Sequence, residues 1–202
     1  MSVFWSLVKK YWSIQSDLLP NAASVIVFAH TYGVDKRSML IPATKTVFES
    51  AVSCAKSFGC KVITCNDKMR DYEAEQKRKE EVAENFSFTD FISAGNATNT
   101  IDEVDLALKY LAEQNNNRSI IVFVDILQGR RARYVWKILG KGYNVYMQTV
   151  DVNIWPANNP NHWQGSRFKW LLWNVLTYCM FLLFGLDRFR NKQVGISRKK
   201  HL

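Results

Sequence analysis

Acid, base and amide side chains gather in four short stretches of the chain, and each follows an apolar run. The first holds His30, Thr31, Tyr32, Gly33, Asp35, Lys36 and Arg37. The second holds Asn66, Asp67, Lys68 and Arg70, with Glu73 just beyond. The third is Thr98, Asn99 and Thr100, and the fourth contains Asp125, Gln128, Arg130 and Arg131. Two kinds of chemistry suit these residue types. Hydroxyl, amide and guanidinium groups at helix starts bind anions, because free backbone N–H groups and the helix dipole attract negative charge there. His30, Asp125 and Glu73 are the candidates for proton transfer, which needs a titratable group within reach of substrate. Each also has a plain structural reading: a histidine bonded to a neighbouring loop, an aspartate capping a turn, a glutamate on a solvated helix face. No GxGxxG and no GxxxxGK[ST] phosphate loop is present.

The apolar runs between these stretches predict the elements that position them. Ser24–Ala29 reads as a buried strand, Ala43–Phe58 as a helix stopped by Gly59, and Lys61–Cys65 as a second strand. Asp71–Glu84 reads as a charged, solvent-facing helix. Phe86–Ser93 alternates weakly as a third strand. Thr100 and Glu103 fit a capping box at the start of a helix running to about Asn115. Ser119–Val124 is the clearest strand; a helix from Gly129 or Arg130 to Leu139 follows, then a strand over Tyr143–Val150. Strands alternating with helices of this length imply right-handed crossovers. The expected fold is an α/β, three-layer, Rossmann-like parallel sheet of about five strands with helices on both faces. Ligands bind such sheets outside the carboxyl ends of the strands, where the four polar stretches fall. Arg130 and Arg131 stand where the helix dipole disfavours cations. An anionic ligand facing Arg131 would account for this, and solvent exposure is the alternative.

At 202 residues and 48% hydrophobic, the chain suits one domain with a sizeable core. Its four cysteines form no CxxC pair and only three histidines occur, so neither a disulfide framework nor a metal site is expected. Reduced thiols favour a cytoplasmic setting. The net charge of +9 is concentrated in Arg188, Arg190, Lys192, Arg198, Lys199 and Lys200, a stretch without acids. Such a tail suits anionic lipid headgroups, or is simply solvated. No basic stripe with interleaved aromatics runs through the body, which disfavours nucleic acid.

The order of loops resembles the YdcF/SanA/ElyC-like family, a bacterial domain of unknown function. Glu73-Ala74 resembles its Glu-Ala motif after the second strand, and Ala97–Glu103 its S-x-N-T-x-E-N loop. Asp125–Ala132 resembles its T-S-x-Y-H-x-x-R-A loop, best at Arg131-Ala132. The similarity covers roughly residues 24 to 150. His30-Thr31 stands where the family has Gly-Gly, Gln128 where it has histidine, and Asp125 where it has serine. The retained set is Glu73, Asn99, Thr100 and Arg131. The resemblance implies a Rossmann-like fold, a nucleotide-like ligand such as S-adenosylmethionine, and a link to cell-envelope biology.

Both ends of the chain read as helices of a different character. Val3, Phe4, Leu7, Val8, Tyr11 and Trp12 recur at helical spacing over residues 1–20, in place of a secretory signal. Arg167–Arg190 reads as one long helix, within which Trp170–Leu186 is apolar on all faces and spans roughly 25 Å. It must be covered by something, whether the domain, a second copy or a membrane, and membrane contact is assigned to Trp170, Trp173, Phe181 and Phe184. The expected organisation is therefore an N-terminal helix (1–20), an α/β domain (21–165), an apolar helix (166–190) and a basic tail (191–202). The expected ligand set is Thr98, Asn99, Thr100, Gln128, Arg130 and Arg131, holding a small anion. The protein would sit at the inner face of the cell membrane. The alternative is a non-catalytic, membrane-associated scaffold, and self-association stays open.

Overall fold

The computed structural model describes residues 3–21, 25–114, 119–155 and 162–190. Serine 24 and the basic tail, both part of the expectations above, lie outside the described residues. Five parallel strands form one sheet: β1 (Ile26–Ala29), β2 (Val62–Asp67), β3 (Phe91–Ala97), β4 (Ser119–Asp125) and β5 (Asn144–Val150), in the order β3-β2-β1-β4-β5. β1 pairs Val27 with Val62 of β2 and with Ile121 of β4, so the shortest strand lies at the centre. All four of its residues are buried, as a strand covered on both faces requires. The expected parallel α/β architecture is present.

The helices α1 (Val3–Tyr11), α2 (Pro42–Phe58), α3 (Tyr72–Asn85), α4 (Thr100–Glu113), α5 (Gly129–Leu139) and α6 (Arg167–Phe184) surround the sheet. Val47, Phe48 and Val52 of α2 build one apolar layer with Val27, Ile121 and Phe123. Ile101 and Val104 of α4 and Val135 and Trp136 of α5 build the other with Phe28, Ile63 and Val122. Residues 14–17 cover the outer edge of β5: Asp17 N–H donates to the Met147 carbonyl at 2.8 Å, and Met147 N–H to Asp17 Oδ2 at 2.7 Å. An edge strand left open would invite pairing with another chain.

Three local expectations are corrected. Strand β3 is Phe91–Ala97 instead of Phe86–Ser93, because Phe86 to Phe88 turn back to bond the last carbonyls of α3. The start of α4 is capped by Asn99, not by a Thr100–Glu103 box: Asn99 Oδ1 accepts from Ile101 N–H (2.7 Å) and Asp102 N–H (3.1 Å). Helix α3 is not wholly solvent-facing, since Glu75, Lys79 and Ala83 are buried.

The C-terminal helix also differs. It ends at Phe184, where Gly185 takes φ 72°, a left-handed conformation that favours glycine. The continuous helix expected to reach Arg190 is therefore interrupted. Its inner residues pack into both apolar layers, Trp170 and Leu171 into one and Phe181 into the other. Among the described residues, no helix is long and apolar enough to cross a membrane.

Candidate functional site

The strand order reverses direction between β1 and β4, and the crevice at their carboxyl ends is where such sheets bind ligands. A cavity of about 180 Å³ opens there. Thr31 and Tyr32 reach it from the end of β1, Asp67 from β2, Thr98, Asn99, Thr100 and Glu103 from the start of α4, and Gln128 and Arg131 from α5. Trp163, Gln164, Trp170 and Trp173 close it from the C-terminal segment. Five of the six residues expected to hold an anion thus share one cavity.

Arg131 is the dominant charge. It is 6% exposed, and its Nε has no hydrogen-bond partner among the described residues. Its guanidinium lies over the Trp170 ring, 5.7 Å from the centroid. Burial lowers its pKa to about 10, opposed by Tyr32 and Glu103, so the group stays cationic at neutral pH. Beside it, Gln128 Nε2 donates to Thr100 Oγ1 at 2.9 Å, which fixes the amide and leaves Gln128 Oε1 buried without a partner among the described residues. Two unsatisfied polar groups, one donor and one acceptor, therefore sit together in the same crevice. Buried groups of this kind are rare unless something else completes them.

Two acids, Glu103 and Asp67, also line the cavity. Glu103 accepts from Thr31 N–H at 2.8 Å through Oε1 and meets His30 Nδ1 at 2.9 Å through Oε2. Trp136 Nε1 donates to His30 Nε2, so Nδ1 carries the hydrogen given to Glu103. Burial raises the pKa of Asp67, while Met69 N–H and Arg70 pull it down. Arg70 Nε lies 3.1 Å from Asp67 Oδ2, and its Nη2 donates to Gln164 Oε1 at 3.2 Å, which ties the short turn His162–Gln164 to the cavity mouth. Gly33 permits this approach: at φ 82°, a Cβ there would stand 2.7 Å from Arg70 Cδ.

Beneath the floor lies an ion pair with no sequence motif of its own. Lys79 Nζ is 2.8 Å from Glu75 Oε1, both side chains are buried, and Lys79 also donates to the Cys65 carbonyl (2.6 Å) and Asn66 Oδ1 (3.1 Å). Glu75 accepts from Thr31 Oγ1 and from Asp67 N–H (2.7 Å). The pair thus fixes the ends of β1 and β2. The i,i+4 spacing of Glu75, Lys79 and Ala83 was the available signal, obscured because charged residues are spread over the other faces of α3 as well.

The remaining expectations are placed differently. Glu73 is exposed on α3 and does not line the cavity. His30 is buried with both ring nitrogens engaged. Asp125 is buried behind the cavity, accepting from Leu127 N–H (2.9 Å) and Trp170 Nε1 (3.1 Å), with Oδ2 unpartnered among the described residues. None of the three proton-transfer candidates faces the crevice. Arg130 turns away, donating to the carbonyls of Trp12 and Tyr11 at 2.9 Å, where it complements the C-terminus of α1. Trp170 and Phe181, expected at a membrane, are core residues; Trp173 is half-buried at the cavity, and Phe184 alone of that set is exposed. Among the described residues no cluster of His, Cys, Asp or Glu could hold a metal.

No protein-family model matches the chain, and no curated protein is significantly similar to it. Among solved structures, a universal stress protein in complex with cAMP is 13% identical, over 65% of this chain and 100% of that one, with a TM-score of 0.41. That likeness is too loose to bear on function.

Proposed function

We propose that the protein binds a small molecule carrying a phosphate or similar anionic group, with the anion on Arg131 and hydroxyl or N–H donors turned toward Glu103 and Asp67. The observation that carries this is Arg131 itself: a desolvated guanidinium, facing a cavity, with no ion pair among the described residues. An unpaired buried charge costs several kcal/mol by order of magnitude, and a structure retains one where a partner arrives from outside. The helix start contributes less than its position suggests, because Asn99 already occupies the N–H groups of Ile101 and Asp102. The carboxylate acceptors Glu103 and Asp67 in the same cavity favour a ligand that also donates, such as a phosphorylated polyol or a nucleotide. The cavity is smaller than the ~300–1,000 Å³ usual for drug-sized ligands, so a compact head group would enter and the remainder would lie along the Trp163–Trp173 stack, whose rings are 5.1 Å apart. The resemblance of the loops to those of YdcF/SanA/ElyC-like proteins belongs to this reading only as a resemblance, and it adds S-adenosylmethionine to the ligands worth testing.

Isothermal titration with inorganic phosphate, AMP and S-adenosylmethionine tests the proposal. At least one should bind, and Arg131→Gln should weaken it by tenfold or more, the scale of a charge-assisted hydrogen bond. Equal binding by the variant, or no binding of any of the three, overturns it. A second reading, a scaffold without small-molecule chemistry, draws on the apolar residues that α1 and α6 leave exposed.

A further inference from the structure

Ten of the seventeen exposed large hydrophobic residues among the described residues lie on just two helices, α1 and α6. On α6 five exposed positions form one stripe, Phe168, Leu172, Leu176, Cys179 and Leu183, at intervals of three or four residues, and Leu182 and Phe184 are exposed beside its end. On α1 the stripe is Phe4, Leu7 and Tyr11. Side chains join the two helices: Phe4 meets Phe168 with ring centroids 6.2 Å apart, Arg167 lies over the Trp5 ring at 4.4 Å, and Trp12 meets Tyr178 at 5.8 Å. Residues 4 and 5 meet 168 and 167 while Trp12 meets Tyr178, so the two helices run in the same direction, with their stripes joined at Phe4 and Phe168. Large contiguous apolar patches on soluble folds mark interaction surfaces.

The charges around this patch identify what it meets. Neither α1 nor α6 contains an acidic residue; Lys9 and Arg167 are paired with Asp151, while Lys10 and Lys169 make no ion pair among the described residues. Arg188 makes no ion pair among the described residues, Arg190 is paired with Asp105, and the sequence continues with Lys192, Arg198, Lys199 and Lys200. A second copy docked on the same face would bring these like charges together. An anionic lipid surface would instead neutralise them while accepting the apolar stripe. The geometry points to α1 and α6 together forming one interfacial face that lies flat on an anionic bilayer, with Leu172, Leu176, Leu183, Phe168, Leu7 and Phe4 entering the headgroup boundary. This face does not depend on the Arg131 cavity.

Co-sedimentation of the full chain with vesicles of phosphatidylcholine alone, and with 30% phosphatidylserine, tests the inference. The protein should pellet with the anionic vesicles. Leu172→Ser/Leu176→Ser/Leu183→Ser should lower the partition coefficient at least tenfold with an unchanged circular-dichroism melt, since all three side chains are already exposed. Lys10→Glu/Arg188→Glu, which spares the apolar stripe, should lower it on phosphatidylserine vesicles only. Failure to pellet with either vesicle overturns the inference, as does undiminished binding by the folded triple-serine variant, which would leave the basic tail as the sole attachment. A solution dimer that the triple variant dissociates, without vesicle binding by the parent, overturns it in favour of a second copy.

Discussion

A buried guanidinium that makes no ion pair among the described residues, its desolvation only partly offset by Glu103, destabilises the empty protein, so Arg131 has a signed effect on stability as well as on binding. Arg131→Met should leave the unliganded protein as stable or a few degrees higher in Tm, because an apolar side chain of similar length removes the unpaired buried charge. A large fall in Tm would mean that Arg131 is structural. Asp125 gives a second prediction. Burial raises its pKa to about 7, against the pull of hydrogen bonds from Leu127 and Trp170. In the unfolded chain the carboxyl ionises near ~3.9. Between those values the folded protein holds a proton that the unfolded chain releases, so this group's contribution falls as pH rises from about 4 to 7 and is lost above 7. The loss is roughly 4 kcal/mol by order of magnitude. Urea denaturation at pH 5 and pH 8 should show this decline, and Asp125→Asn should flatten it; an unaltered difference would assign the pH dependence elsewhere. Arg131 was legible from its place at a helix start, where a cation needs a reason. His30 and Asp125 were legible as strand-end residues but not as buried ones, because direction is decided by what packs behind them: Trp136 and Glu103 for the first, Trp170 for the second.

Helix α3 shows what element-level reading misses. Its composition is that of a solvated helix, yet one turn-spaced pair, Glu75 and Lys79, faces inward and anchors the strand ends. Lys79→Met should cost ~3–5 kcal/mol, since it leaves Glu75 buried and unpaired, whereas Glu75→Gln/Lys79→Met should recover most of that loss; thermal melts of the two variants compare them directly. Asn99→Ala should cost ~1 kcal/mol by uncapping α4, read in the same way, and should also disturb the cavity wall. The strands were readable from their apolar runs because a strand buried on both faces needs no partner residue to declare itself. The boundary of β3 was not, because Gly95 and Asn96 belong to the strand despite looking like loop.

At the scale of the molecule, α6 belongs to the core as well as to the surface. Trp170 and Phe181 are 3% and 4% exposed and enter opposite apolar layers. Removing residues after Gly165 should therefore abolish the cooperative thermal transition instead of simply releasing a membrane anchor. A truncated chain that still melts cooperatively near the parent temperature would show that the α/β domain folds without it.

By itself the sequence determined the alternation of strands and helices, the parallel sheet it implies, and the set of loops at one edge, because each follows from periodicity and chain continuity. It also located Thr98, Asn99, Thr100, Gln128 and Arg131 on those loops. Only the tertiary structure decided which side chains face the crevice, that Glu103 and the Glu75–Lys79 pair support it, and that Arg130, Glu73, His30 and Asp125 do not line it. It likewise decided that one side of the apolar C-terminal helix is covered by the domain while the other joins α1 in the open. These outcomes depend on contacts between residues far apart in the chain, which local pattern does not encode.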